Sequence, residues 1–272
     1  MKKVVLVLLL IAIIPLNLSA WGDKGHKLIT AHSLEFLKTK INLPDSIIKE
    51  IITRSVDPDN RKKQDPTEYP KHFIDIDFFP EYMSGQIVLN RDELKSRYPD
   101  SVLVKQGYLP WATLDTYEKL VDAFKSGEKE KIVLYLADLS HYVADGHQPM
   151  HATLNYNGQL TGQKGIHFRY EIEMVDAYLE EIIKGLVKFD IGTVEKKDLE
   201  YKIFDYLNES NTYVELVLSA DKFASKNKDK YFELLWNRTK YVTIESINSA
   251  AKALADMINS AYIEAGNPEL KF

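Results

Sequence analysis

Apolar side chains three and four positions apart recur through most of this 272-residue chain. That spacing fits one face of an α-helix and does not fit the alternating faces of a strand. It predicts helices over residues 26–40, 45–55, 111–124, 129–145, 167–186, 197–207 and 230–265, the last interrupted near Val242 and Thr243. Asp45 stands where an N-cap belongs, just ahead of Ser46, Ile47 and Ile48. One alternating run, His72 to Asp77, is too short to make a sheet. Loops are expected over 57–70, 79–107 and 154–165, each carrying Gly, Pro, Asn or Asp. No linker divides the chain, so the expectation is an all-α fold in a single helical domain over residues 21–272.

The first twenty residues have the composition of an export signal. Lys2 and Lys3 precede an apolar run of 11 residues, Val4 to Ile14, short for a bilayer span. Leu18, Ser19 and Ala20 offer a cleavage edge, and cutting after Ala20 makes Trp21 the first mature residue. The expected location is therefore periplasmic or secreted. There are no cysteines. Disulfides, thiolate metal sites and a cysteine nucleophile are all excluded, so the core or bound metal must hold the fold. The formal net charge is −5, which gives no overall attraction for nucleic acid. Any anionic substrate needs local positive charge.

The densest chemistry lies in HYVADGHQPMH, residues 141–151. His141 and Asp145 are four apart, so on a helix they share a face about 6 Å apart along the axis, which suits two ligands of one ion. Gly146 offers a helix stop and Pro149 forbids continuation, so His151 can turn toward a second ion. His167 and Glu171 repeat the four-residue spacing. Asp57, His72 and His26 lie upstream. Imidazole and carboxylate together suit zinc, whereas calcium and magnesium prefer oxygen alone. Of seven histidines, His32 and His147 are expected to be structural or at the surface. Trp111 is expected in the core or at its rim, and Arg61, Lys62 and Lys63 on a solvated loop.

These residues resemble the trinuclear zinc phosphoesterases, the superfamily of the bacterial zinc-dependent phospholipases C and the S1/P1 nucleases. The resemblance rests on Trp21, on His26 five residues later, on Asp57 fifteen before His72, on the run from His141 to His151, and on His167 with Glu171. It extends from Trp21 to about Glu171. It implies a helical fold with long loops around a cleft holding three Zn2+. One ion would be held by Asp57, His72 and His141 with Asp145, and a second by His151, His167 and Glu171. The third would be held by His26, Asp145 and the freed amine and carbonyl oxygen of Trp21, which couples signal cleavage to metal loading.

The implied activity is hydrolysis of phosphate esters by metal-activated hydroxide. Asp57 would orient the nucleophile or accept its proton, and Arg61 would clamp phosphoryl oxygens. Tyr142, the Gln148–His151 segment, Glu171 and the short gap from His151 to His167 resemble the phospholipase branch. The Trp21–His26 spacing and His72-Phe73-Ile74-Asp75 resemble the nuclease branch, where Phe73 and Asp75 would bind a base. Phospholipid is thus the first expected substrate, with transient membrane-surface contact. Single-stranded nucleic acid, for a nuclease or 3′-nucleotidase, is the alternative, and an inactive metal-binding helical protein is a third. No obligate protein partner is evident.

Overall fold

The computed structural model describes residues 21–272; the expected signal and its cleavage edge lie outside them. The helices are α1 (Gly22–Leu37), α2 (Asp45–Arg54), α3 (Asp57–Arg61), α4 (Pro80–Met83), α5 (Arg91–Arg97), α6 (Asp100–Gln106), α7 (Leu109–Ser126), α8 (Lys129–Gly146), α9 (Ile166–Phe168), α10 (Val175–Ala177), α11 (Leu179–Lys184), α12 (Leu199–Thr212), α13 (Val214–Ala224) and α14 (Tyr231–Glu264). There is no strand among the described residues, so the fold is all-α. No helix among them is long and apolar enough to cross a membrane.

α8 is the central element. Every residue from Leu136 to Gly146 is buried, whichever side of the helix it occupies. α7 leads into it through Gly127, which adopts the left-handed conformation (φ 69°) and donates its N–H to Ala123 O at 3.0 Å. Around this hairpin pack α1, α2, α12 and α14. One apolar cluster includes Leu136, Leu139 and Val143 of α8 with Leu120 and Phe124 of α7. A second joins Trp21, Ile29 and Ala144 to Tyr170, Val217 and Ile247. The C-terminal turns of α8 therefore sit where the two clusters meet.

Several expectations are corrected. α14 runs unbroken through Val242 and Thr243. Thr243 is accommodated because its hydroxyl donates to Thr239 O at 3.0 Å and lies 3.0 Å from the Tyr170 hydroxyl. Residues 79–107 hold α4, α5 and α6 rather than one loop. There the Asn90 side chain caps α5 by accepting the Asp92 and Glu93 N–H groups, each at 3.0 Å. The 57–70 loop likewise opens with α3. α13 was not expected, although Val214, Val217, Leu218 and Asp221 give it one buried face. The helix expected over 167–186 is divided, with a π-helical turn at Arg169–Met174.

Candidate metal centre

Sequence-distant elements deliver ligand-type side chains to one buried region. α1 brings His26 and α8 brings His141 and Asp145. The 3-10 turns Tyr69–His72 and Pro149–His151 bring His72 and His151, and α9 with the π-turn brings His167 and Glu171. Three groups could each hold a metal ion: His26 with His141 and Asp145, Asp59 with His72 and His141, and His151 with His167 and Glu171. Within each group the candidate donor atoms lie within 4.8 Å of one another.

Hydrogen bonds fix the imidazole tautomers. His141 Nδ1 donates to Ser55 O at 2.8 Å, His151 Nδ1 to His72 O at 2.5 Å, and His167 Nδ1 to Tyr156 O at 3.1 Å. In each neutral ring the proton is therefore on Nδ1, leaving a lone pair on Nε2. The Nε2 lone pairs of His151 and His167 face each other. His151 Nε2 lies 3.1 Å from His167 Nε2, and His141 Nε2 lies 3.0 Å from His72 Nδ1. Asp145 Oδ2 is 3.0 Å from His72 Nδ1, and Glu171 Oε2 is 2.5 Å from His167 Nε2. Both ring nitrogens of His26 and one oxygen each of Asp59, Asp145 and Glu171 are buried without a hydrogen-bond partner. Converging acceptors with no donor between them are costly unless a cation occupies the gap. The donor set of imidazole and carboxylate fits zinc.

Charge is balanced tightly here. Burial alone would raise Asp145, but His141 and then His151 hold it well below the usual carboxylate range. Burial pulls His141 down, yet Asp145 and Asp59 outweigh it and lift it to about 9. Burial lowers His72 to about 4 despite Asp145.

Two sequence expectations differ from what the fold shows. Asp57 is not in the cluster: its side chain is 40% exposed and accepts from Arg54 Nε at 3.2 Å. Asp59 is 3% exposed, with Oδ1 3.6 Å from His72 Nδ1 and 3.7 Å from His141 Nε2. The reason is helical phase. Residues 57–61 form α3, and two positions along a helix is about 200° of rotation. Arg61 is likewise committed elsewhere. Its two terminal nitrogens reach the Asp138 carboxylate at 2.9 Å each, and one also lies 3.3 Å from Glu68. That pairing, against the desolvation of burial, raises its pKa.

Other residues fall as follows. Trp21 is buried, its indole N–H donates to Ala144 O at 2.8 Å, and its carbonyl accepts from Gly25 N at 3.1 Å. The head of α1 is thereby fixed one residue from Asp145. Phe73 lines a small opening with Lys62, Tyr69, Tyr156 and the rings of His72, His151 and His167. Lys62 is not solvated; it reaches Asp59 Oδ1 at 2.5 Å and is 10% exposed. Asp75 is buried with one oxygen unpartnered. Burial, with Asp77 nearby, lifts its carboxyl to about 8. His32 and His147 are structural. His32 bonds Val187 O, and His147 donates to Val143 O while stacking on Tyr206. Trp111 is core. Sequence reasoning also missed Gln148, whose amide donates to Glu171 Oε2 at 2.5 Å, and Glu68, which accepts from Tyr142.

The fold is similar to that of the alpha toxin from Clostridium absonum, with a TM-score of 0.56 at 15% sequence identity. The likeness covers 91% of this chain, which spans 65% of that one. At such identity it carries the helical architecture alone. No protein-family model and no curated protein matches the sequence.

Proposed function

We propose that this protein is a zinc-dependent phosphodiesterase of the phospholipase C type, exported to the periplasm or beyond, that releases phosphorylated head groups from phospholipid. The carrying observation is the contact of His151 with His167, whose Nδ1 atoms both donate to backbone carbonyls so that their Nε2 lone pairs face each other at 3.1 Å beside Glu171. His151, His167 and Glu171 would hold one ion, and Asp59, His72 and His141 a second. His26 and Asp145 would hold a third, joined by the Trp21 amine once cleavage after Ala20 frees it. The anchoring of Trp21 on Ala144 supports that last assignment. Bound zinc supplies a Lewis acid and a water acidic enough to ionise near neutral pH.

The chain's own groups do the rest. Ser55, His72 and Tyr156 carbonyls hold three imidazoles in one tautomer and orientation. Gln148 orients Glu171. Lys62, bordering the opening, brings positive charge toward a phosphodiester approaching past Tyr69 and Phe73. The clamp expected of Arg61 passes to Lys62, because Lys62 lines the opening and Arg61 does not.

A second reading, a single-strand nuclease, is favoured by Phe73, which lines the opening beside His72 where a base could stack. The test gives the zinc-loaded mature chain phospholipid vesicles, single-stranded DNA and RNA side by side. Phosphorylated head-group release that stops on chelation and returns with zinc is expected. Turnover unaffected by chelation overturns the metal reading; nucleic-acid cleavage without lipid turnover replaces the first substrate by the second. Metal content without turnover on any of the three leaves an inactive metal-binding protein.

A further inference from the structure

We propose a second ligand site, apart from the histidine cluster, that takes a small amphipathic anion: one phosphate, sulfate or carboxylate head on an apolar body. It is a cleft of about 540 Å³ sharing no lining residue with the opening at His72, His151 and His167. Its volume lies within the range of small-molecule pockets.

Two adjacent helices build it. α7 contributes Ala112, Asp115, Thr116 and Lys119, and α8 contributes Tyr135, Asp138 and Tyr142. These spacings of three and four turn one stripe of each helix toward the same space. Val104 and Tyr108 complete an apolar wall, and Lys71 and Arg91 stand at the rim.

The charges are not balanced. Asp138 is saturated by Arg61, at 2.9 Å to each oxygen, and Lys71 is held by Glu68 at 2.8 Å. Arg91 reaches Asp115 only at 3.3 to 3.4 Å, and its buried Nε has no hydrogen-bond partner. Lys119 is exposed and makes no ion pair among the described residues. The Tyr108 and Tyr135 hydroxyls likewise have no hydrogen bond among them. A cation surplus over an aromatic and aliphatic wall, with two free hydroxyls, complements an anionic head carrying an apolar body. Tyr142 closes the back of the cleft but turns its hydroxyl to buried Glu68, leaving its ring as wall.

The test titrates octyl sulfate monomers into the zinc-loaded mature protein by calorimetry; sulfate is chosen because it competes poorly for zinc. Saturable one-to-one binding is expected. Arg91→Gln with Lys119→Gln should weaken it about tenfold by removing the unpaired Lys119 ammonium and the Arg91 guanidinium, whose Nε has no partner. Inorganic sulfate should bind about tenfold more weakly than octyl sulfate, since it lacks the apolar body. Ala112→Phe, which fills the floor, should abolish binding. An absence of saturable binding overturns the site. So does unchanged affinity in the double variant, whose substitutions are at partly exposed positions and leave the core intact. Inorganic sulfate binding as tightly as octyl sulfate overturns the amphipathic assignment.

Discussion

Asp57 and Asp59 are two residues apart and chemically identical, yet only one faces the histidines. The distinction predicts a clean comparison. Asp59→Asn should weaken metal binding at the group of His72 and His141 by about 10- to 100-fold or more. Asp57→Asn should leave metal content unchanged, because its carboxylate faces Arg54. Elemental analysis after limited dialysis against chelator checks both, and metal loss from the Asp57 variant would contradict the assignment. Asp75 gives a second prediction at this scale. Its folded-state pKa of about 8 exceeds that of an unfolded aspartate, so the unfolded chain releases its proton first. Stability should therefore fall as pH rises from about 4 towards 8 and change no further above that. Asp75→Asn should flatten this slope and gain on the order of 5 kcal/mol over the parent at pH 8, with little difference at pH 4. Urea titrations at the two pH values measure it.

At the scale of elements, the site depends on how α8 ends and what holds the segment after it. Gly146 was expected to offer a helix stop, and it is the last helical residue. A Cβ there would come within 2.4 Å of Tyr206 Cε2. Glycine is needed because α12 lies so close, with the Tyr206 ring also stacked on His147 at 4.2 Å. Gly146→Ala should destabilise the protein by about 1–3 kcal/mol through overpacking. Tyr206→Leu in the same chain should recover part of that loss in denaturant melts. A second anchor is Asp221 on α13, buried and accepting from Gln163 at 2.7 Å, Arg169 at 2.8 Å and the Tyr231 hydroxyl. Arg169 in turn donates to Lys164 O at 3.1 Å, two residues before Ile166 opens α9. Asp221→Ala should cost about 3–5 kcal/mol, since it strands a partly buried guanidinium, and guanidinium-chloride unfolding would show it.

For the whole molecule, a chain without cysteine gathers three buried carboxylates and five imidazoles at the meeting of two apolar clusters. Like-type acceptors facing one another oppose folding unless a cation joins them. Metal should therefore act as the cross-link that disulfides would otherwise provide. Removing it should lower the melting temperature by on the order of 10 °C for each site emptied, since ions bound at 100 to 1,000 times their dissociation constants contribute about 3–4 kcal/mol per site. Scanning calorimetry with chelator, then with zinc restored, checks this, and coincident melts would contradict it.

What the amino-acid order settled alone was local. Helical class follows from a 3.6-residue apolar spacing, and the pairs His141–Asp145 and His167–Glu171 follow because one helical turn brings i and i+4 together. The missed α13 carried the same signal and was legible in principle. Other features were not. The choice of Asp59 over Asp57 depends on where α3 begins, and the pairing of Arg61 depends on Asp138, contributed by α8. Gly146 is explained by a tyrosine sixty positions away in the chain. Periodicity encodes which face of an element turns inward, but not which distant element meets it there. That second relation is fixed by close packing, and it decided which carboxylate joins the histidines and which cation stands beside them.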